Sequence, residues 1–163
     1  GVSVYSVMLA KTIGWALPSN LFKVGMAGLL HDVGKKEIPR AVLMVPRREW
    51  GPAEVTAYES HPQRGYGSLR HLPNIPEDVL QVVKEHHESC TGTGFPARVR
   101  SSKIHPMAKL VSVADAFCTL TIAGPEGGGQ KPQETIDELI GFHRERFDSR
   151  FFNALLNLFG RAP

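Results

Sequence analysis

Leu29-Leu30-His31-Asp32-Val33-Gly34-Lys35 sets an imidazole, a carboxylate and an ammonium group directly behind an apolar run. The run closes a helix: Leu21, Val24, Leu29 and Leu30 recur at helical steps behind an N-cap at Asn20, and the helix is expected to reach Gly34. His31 and Lys35 stand one turn apart, so His31, Asp32 and Lys35 converge on one point if helical geometry persists past Gly34. The plainer reading is a helix C-cap, with the histidine bonded to a carbonyl at the negative end of the dipole.

Outward from this stretch, apolar residues keep recurring every three or four positions and sustained two-residue alternation is lacking, so the expected fold class is all-α. Val4, Val7, Met8 and Ile13 stripe a first helix that Gly14 and Pro18 end. A short turn follows at Ile38-Pro39, with a further piece around Val42 to Val45. Pro52 opens a segment through Val55 and Tyr58 that Pro62 kinks or restarts. Pro76 opens the next, with Val79, Leu80, Val82 and Val83 facing inward. Gly92-Thr93-Gly94 reads as a loop, Met107 to Ile122 as the most apolar helix, and Gly124 to Gly129 as a flexible loop. Thr135 to Phe142 and Phe151 to Phe159 bring the bundle to about seven or eight helices.

At 163 residues, 42% hydrophobic and 21% charged, the chain suits a single domain, residues 1–163, that buries roughly 70% of its unfolded surface. Nineteen Lys+Arg against sixteen Asp+Glu leave a formal +3. The basic residues are scattered, which argues against a nucleic-acid duplex as partner. No apolar run approaches the roughly 18–20 residues that cross a bilayer, and Val2 to Leu9 follows no basic segment. Neither a membrane segment nor a signal peptide is therefore expected. Cys90 and Cys118 suit a reducing compartment, hence a cytoplasmic location, better than a disulfide framework. The first apolar stripe begins at residue 1 without a cap, so the chain is expected to lack the start of its first helix and any upstream regulatory domain.

Several polar residues sit where a core is expected. His86 and His87 continue the stripe of Val79, Val82 and Val83. A lone buried histidine is usually a satisfied core residue, but neutral imidazole is also the commonest metal ligand, and two in succession can share a cation set between their directions. Asp115 stands amid Leu110, Val111, Val113, Ala114, Ala116 and Phe117. Burying an unpaired carboxylate there would cost several kcal/mol, a cost that a metal or an arginine partner removes. His61 precedes Pro62 at the helix break, with Gly65 one turn on leaving room beside its ring. Four imidazoles and two carboxylates from four segments exceed one tetrahedral site, so two metals sharing Asp32 is the economical arrangement. Mixed nitrogen and oxygen donors without thiolate favour iron, manganese or zinc over calcium or magnesium.

His31-Asp32-Val33-Gly34-Lys35, His61-Pro62-Gln63-Arg64-Gly65, His86-His87-Glu88, Gly92-Thr93-Gly94-Phe95-Pro96 and Val113-Ala114-Asp115, in that order, resemble the HD-GYP branch of the HD phosphohydrolases. The resemblance covers residues 2 to about 159 and implies an all-α HD-domain bundle. It implies a two- or three-metal centre, commonly iron or manganese, that hydrolyses cyclic di-GMP or a related phosphoester through a hydroxide held between the metals. His31, Asp32 and Asp115 would hold one metal and His61, His86 and His87 the second, with Asp32 bridging. Asp32 and Lys35 would then be the catalytic residues, and Lys35, Lys109 and Phe95 would contact substrate. Lys35 would stabilise charge or, with a lowered pKa, protonate the leaving group. The alternative the resemblance allows is a non-catalytic metal-containing module that binds a cyclic dinucleotide or, through the Gly92 to Pro96 loop, a GGDEF-type synthase domain.

The chain departs from the family pattern at several positions. Phe95 replaces the signature tyrosine, keeping the ring and losing the hydroxyl. Thr91 and Cys118 stand in place of aspartates, and Lys109 in place of an arginine. Gly124-Pro125-Glu126-Gly127 occupies the place of basic and aromatic residues that contact the nucleotide. The family also carries a histidine about a turn before residue 1. His71, His105 and His143 match no family role and read as surface or capping residues.

Overall fold

The computed structural model describes residues 1–123 and 128–161. Among them are eight α-helices of seven residues or more, a single helical turn, and no strand. The first two are antiparallel neighbours, α1 (Val2–Thr12) and α2 (Pro18–Leu30). The single turn α3 (Arg40–Leu43) precedes α4 (Pro52–Glu59), α5 (His61–Leu69) and α6 (Glu77–Glu85). The long α7 (Pro106–Thr121) is followed by α8 (Pro132–Glu138) and α9 (Ser149–Leu158).

Sequence sets most of these boundaries. Gly14, at φ +84°, stops α1 in a Schellman turn: its N–H donates to the Lys11 carbonyl and the Trp15 N–H to that of Ala10. Pro18, not Asn20, starts α2, because proline at the first helical position sacrifices no hydrogen bond and brings its own φ. Asn20 lies inside the helix. Pro62 restarts rather than kinks the chain, leaving only Ser60 between α4 and α5. The α2 helix ends at Leu30, short of Gly34, and a 3₁₀ segment covers Val33–Glu37.

α7 is the central element and packs against α1, α2, α6, α8 and α9. Leu110, Val111, Val113, Ala114 and Phe117 are fully buried, as befits a helix that is apolar nearly all round. The fully buried face of α1 is Ser6, Leu9 and Ala10; of the expected stripe Val7 and Ile13 pack half-buried against the core, and Val4 and Met8 are exposed. α1 carries apolar residues on most sides, so periodicity could not choose its inner face. Leu29 is likewise 75% exposed, while Val24, Ala27 and Gly28 face inward. No helix among the described residues is long and apolar enough to cross a membrane.

Candidate metal centre

The end of α2 delivers the first group of polar side chains. His31 is its C-cap, and its Nδ1 lies 3.0 Å from the Gly28 carbonyl. The capping reading of the sequence is thus realised, and it frees the other ring nitrogen, because an Nδ1–H that donates to a carbonyl leaves Nε2 as a lone-pair donor. Asp32 takes φ −96° and ψ 8°, which turns the chain into the 3₁₀ segment and brings Lys35 Nζ within 2.8 Å of Asp32 Oδ2. This turn lies flat against α5 only because residue 34 is glycine: a Cβ there would sit 2.0 Å from the His61 carbonyl oxygen. The space at Gly65 is filled by Gly34 and Val83 rather than by the His61 ring.

His61 opens α5 and points Nδ1 at the Tyr58 carbonyl, 2.7 Å away. His86 caps α6 and does the same to the Val83 carbonyl at 3.0 Å. Both Nε2 atoms therefore face Asp32 Oδ1, at 3.3 Å and 3.6 Å, and lie 3.2 Å from each other. His31 Nε2 is 3.3 Å from Asp32 Oδ2 and 3.4 Å from Asp115 Oδ1, which α7 supplies. The structure thus gathers Asp32, His61, His86 and His87 into one group of donor atoms and His31, Asp32 and Asp115 into a second, with Asp32 common to both.

These residues fit divalent cations. His31 Nε2, Asp32 Oδ1 and His87 Nε2 are buried without a hydrogen-bond partner, an arrangement that is costly unless something positive sits among them. Donor atoms held about 2.0–2.2 Å from one ion are themselves about 3.0–3.5 Å apart, the range in which most of these pairs fall. Electrostatics agree. Burial opposes the charge of Asp32, but the imidazoles of His31, His61 and His86 outweigh it and hold the carboxyl far below the usual carboxylate range. Burial pushes His86 down and His87 well down, so both are neutral. For His31 burial is outweighed by Asp115 and Asp32, which lift it to about 10, so without an ion Nε2 holds a proton between the two carboxylates, at the place where a bound cation would displace it. Lys35 is raised above its ordinary value, burial being overcome chiefly by Asp32, so it is a charged ammonium beside the shared carboxylate.

An aromatic group backs the second donor set. Phe95 stacks on His87 with centroids 4.5 Å apart, and Tyr58 lies edge-on to His61 at 4.9 Å. The Arg47 guanidinium donates to the Tyr58 hydroxyl and covers its ring. Glu88, buried behind the two histidines, accepts from the backbone N–H groups of Ala97, Arg98 and Val99, and so fixes the loop that carries Phe95.

A cavity of about 230 Å³ opens onto the centre, with Lys35, His86, His87 and Asp115 among its lining residues. Phe95 and Lys109 do not line it. The Phe95 ring stacks on His87, and Lys109 Nζ bonds Ser101 Oγ and Asp148 Oδ2. The Gly124-Pro125-Glu126-Gly127 stretch lies outside the described residues. His105 is a cap, accepting from the Met107 N–H, and His71 is exposed. His143 is the half-buried N-cap of Arg144–Arg146, without a side-chain capping bond, and with Arg146 it forms part of the cavity wall. Sequence reading missed Tyr58 and Arg146. Tyr58 carried a faint signal, three residues before His61, and Arg146 none.

The sequence profile of the HD domain family matches residues 2–151. The chain belongs to the HD domain family. This HD domain is similar to a cyclic di-GMP phosphodiesterase of Pseudomonas aeruginosa, 31% identical over 163 residues that cover 99% of this chain and 39% of that protein. RpfG, a cyclic di-GMP phosphodiesterase response regulator of Xanthomonas campestris, is 33% identical over 140 residues, 85% of this chain and 36% of that protein. A 3′3′-cGAMP-specific phosphodiesterase of Vibrio cholerae is 28% identical over 124 residues, 76% of this chain and 26% of its own length. The HD domain therefore spans well under half of each of these relatives. A solved structure from Bdellovibrio bacteriovorus, described as an HDG"Y"P protein, shares the fold with a TM-score of 0.82 at 24% identity, over 98% of this chain and 50% of that one.

Proposed function

We propose that the chain is a metal-dependent phosphodiesterase that hydrolyses a cyclic dinucleotide, cyclic di-GMP foremost, at a centre of two transition-metal ions, iron or manganese. The observation that carries this reading is the pair of donor groups sharing Asp32 at the cavity, with the Lys35 ammonium 2.8 Å from the shared carboxylate. The names of the relatives point to the same substrate class. The donors are imidazole and carboxylate without thiolate, which suits iron or manganese.

His31, Asp32 and Asp115 would hold one ion, and Asp32, His61, His86 and His87 the other. Once bound, the ions supply a water acidic enough to attack phosphorus at neutral pH and positive charge facing the phosphoryl oxygens. The chain does the rest. Backbone carbonyls of Gly28, Tyr58 and Val83 fix the tautomers of His31, His61 and His86, so each ring meets its ion without reorganising. Lys35 holds Asp32 Oδ2 with one N–H and turns its remaining donors to the cavity, where a non-bridging phosphate oxygen can accept one. Phe95 and Tyr58 shield the outer faces of His87 and His61 from water.

Anaerobically prepared protein should contain about two transition-metal ions per chain and open cyclic di-GMP to a linear dinucleotide. Asp32→Ala should lower that rate by about a thousandfold or more, because it removes a ligand of both ions at once. Fully loaded protein that leaves both cyclic di-GMP and 3′3′-cGAMP intact would overturn the reading.

A further inference from the structure

A cyclic dinucleotide carries two phosphodiester groups, each with one negative charge, and the metal centre with Lys35 accounts for one. The second needs a cation, and the two places where the family pattern carries one do not provide it here. Lys109 is tied to Asp148 and Ser101, and residues 124–127 contain no basic side chain.

The cations come instead from the segment after α8. Leu139–His143 forms a π-turn and Arg144–Arg146 a 3₁₀ turn, and π-turns of this kind are frequent at functional sites. Of its three basic side chains, Arg144 is structural: it donates to Asn153 Oδ1 and its guanidinium sits over the Phe152 ring. His143 and Arg146 line the same 230 Å³ cavity as Lys35 and Asp115, and neither side chain has an ion pair or hydrogen bond among the described residues. Their position is fixed rather than loose. The Arg146 carbonyl accepts from the Cys90 N–H at 2.9 Å, three residues past His87, and Phe147 stacks on Phe152. Glu88 also borders the cavity, but its carboxylate is spent on three backbone N–H groups and does not compete for these cations.

Size points the same way. A cavity of 230 Å³ is below the roughly 300–1,000 Å³ that enclose ligands of drug size, so a cyclic dinucleotide must extend past it. An open groove of about 800 Å³ adjoins it, shares His143, Arg146 and Phe147 as wall, and continues to Thr91, Thr93 and Phe142. Arg146 stands at the junction, where the part of the substrate remote from the metals would pass.

Resting on the phosphodiesterase reading above, we infer that Arg146, assisted by His143, binds the non-scissile phosphate of the cyclic dinucleotide and so sets the preference for a substrate with two phosphates. The test compares cyclic di-GMP with bis(p-nitrophenyl) phosphate, whose single phosphate is the one that reacts and leaves no second phosphate for Arg146. Arg146→Ala should lower the ratio of kcat/KM for cyclic di-GMP to that for the small ester by about tenfold or more, mostly through KM. Arg146→Lys should recover part of the loss, since it restores the charge without the fork, and His143→Ala should show a smaller loss in the same direction. Equal effects on the two substrates, or none, would overturn the inference. Titration calorimetry of cyclic di-GMP separates its failure from that of the proposed function. Wild-type protein that binds but does not turn over, with binding weakened about tenfold in Arg146→Ala, would sink the function and keep the subsite. Unweakened binding in the variant, or no binding by wild-type protein, would sink the subsite.

Discussion

Gly34 shows how little tolerance the centre has at the level of single atoms. Its Cβ position lies 2.0 Å from the His61 carbonyl and 2.6 Å from the Gly65 nitrogen, both backbone atoms that cannot swing aside. Gly34→Ala is therefore expected to push the 3₁₀ turn away from α5 and to cost about 3 kcal/mol of unfolding free energy, read by urea titration. It should also weaken metal binding, because the same movement carries Asp32 away from His61 Nε2. Unchanged stability and metal content in that variant would show that the turn has slack. The metal ligands were legible in the sequence for a related reason: a carboxylate among Leu110, Val111, Val113 and Phe117 is expensive enough to demand an explanation. Arg146 had no such legibility. An exposed arginine costs nothing, so its role shows only once the chain is folded and the cavity it borders is seen.

At the level of elements, helix ends build the centre. His31 and His86 are C-caps, and His61 is the first residue of α5; only Asp115 projects from mid-helix. The ends must hold their relative positions, and α2 and α6 are clasped by Lys23 Nζ donating to Asp78 Oδ2 at 2.6 Å, with His105 Nε2 3.3 Å from Asp78 Oδ1. The Lys23 hydrogen bond, against a small opposing effect of burial, holds the Asp78 carboxyl below its ordinary 3.8. A lowered carboxyl stabilises the fold above 3.8 and loses that contribution as pH falls through its lower folded value. Asp78→Asn should thus lower Tm by about 1–3 °C at pH 7, and the gap to the parent should close as pH drops below 3.8. A gap that persists in acid would assign the effect to packing instead. Helix number and type were readable because α6 and α9 have strongly one-sided patterns and prolines mark most starts. The inner face of α1 was not readable, since Val4, Val7, Met8 and Leu9 offer apolar surface in several directions and only contact with α2 and α7 chooses among them.

The whole molecule is a bundle in which four segments distant in sequence meet at one polar point beside an apolar core. The fold is set by α7, whose nearly uniform apolar surface forces it to the middle, and this places Asp115 at the edge where α2 and α6 end and α5 begins. That edge carries a liability. With His31 Nε2, Asp32 Oδ1 and His87 Nε2 buried and unpartnered, the metal-free chain bears a desolvation penalty that bound ions would remove. Ions that bind only the folded state add RT ln(1 + [M]/Kd), about 2.7 kcal/mol at a hundredfold excess over Kd. For a chain of this length that amounts to roughly 5–10 °C in Tm. Stripping the metals with a chelator should therefore lower Tm by about that much, measured by calorimetry, and adding manganese back should restore it. Asp115→Asn should shrink the chelator-induced shift, since it removes a ligand of one donor group and leaves the other intact. A chelator shift near zero in the parent would mean that the buried donors are satisfied some other way, and the two-metal centre would fall with it.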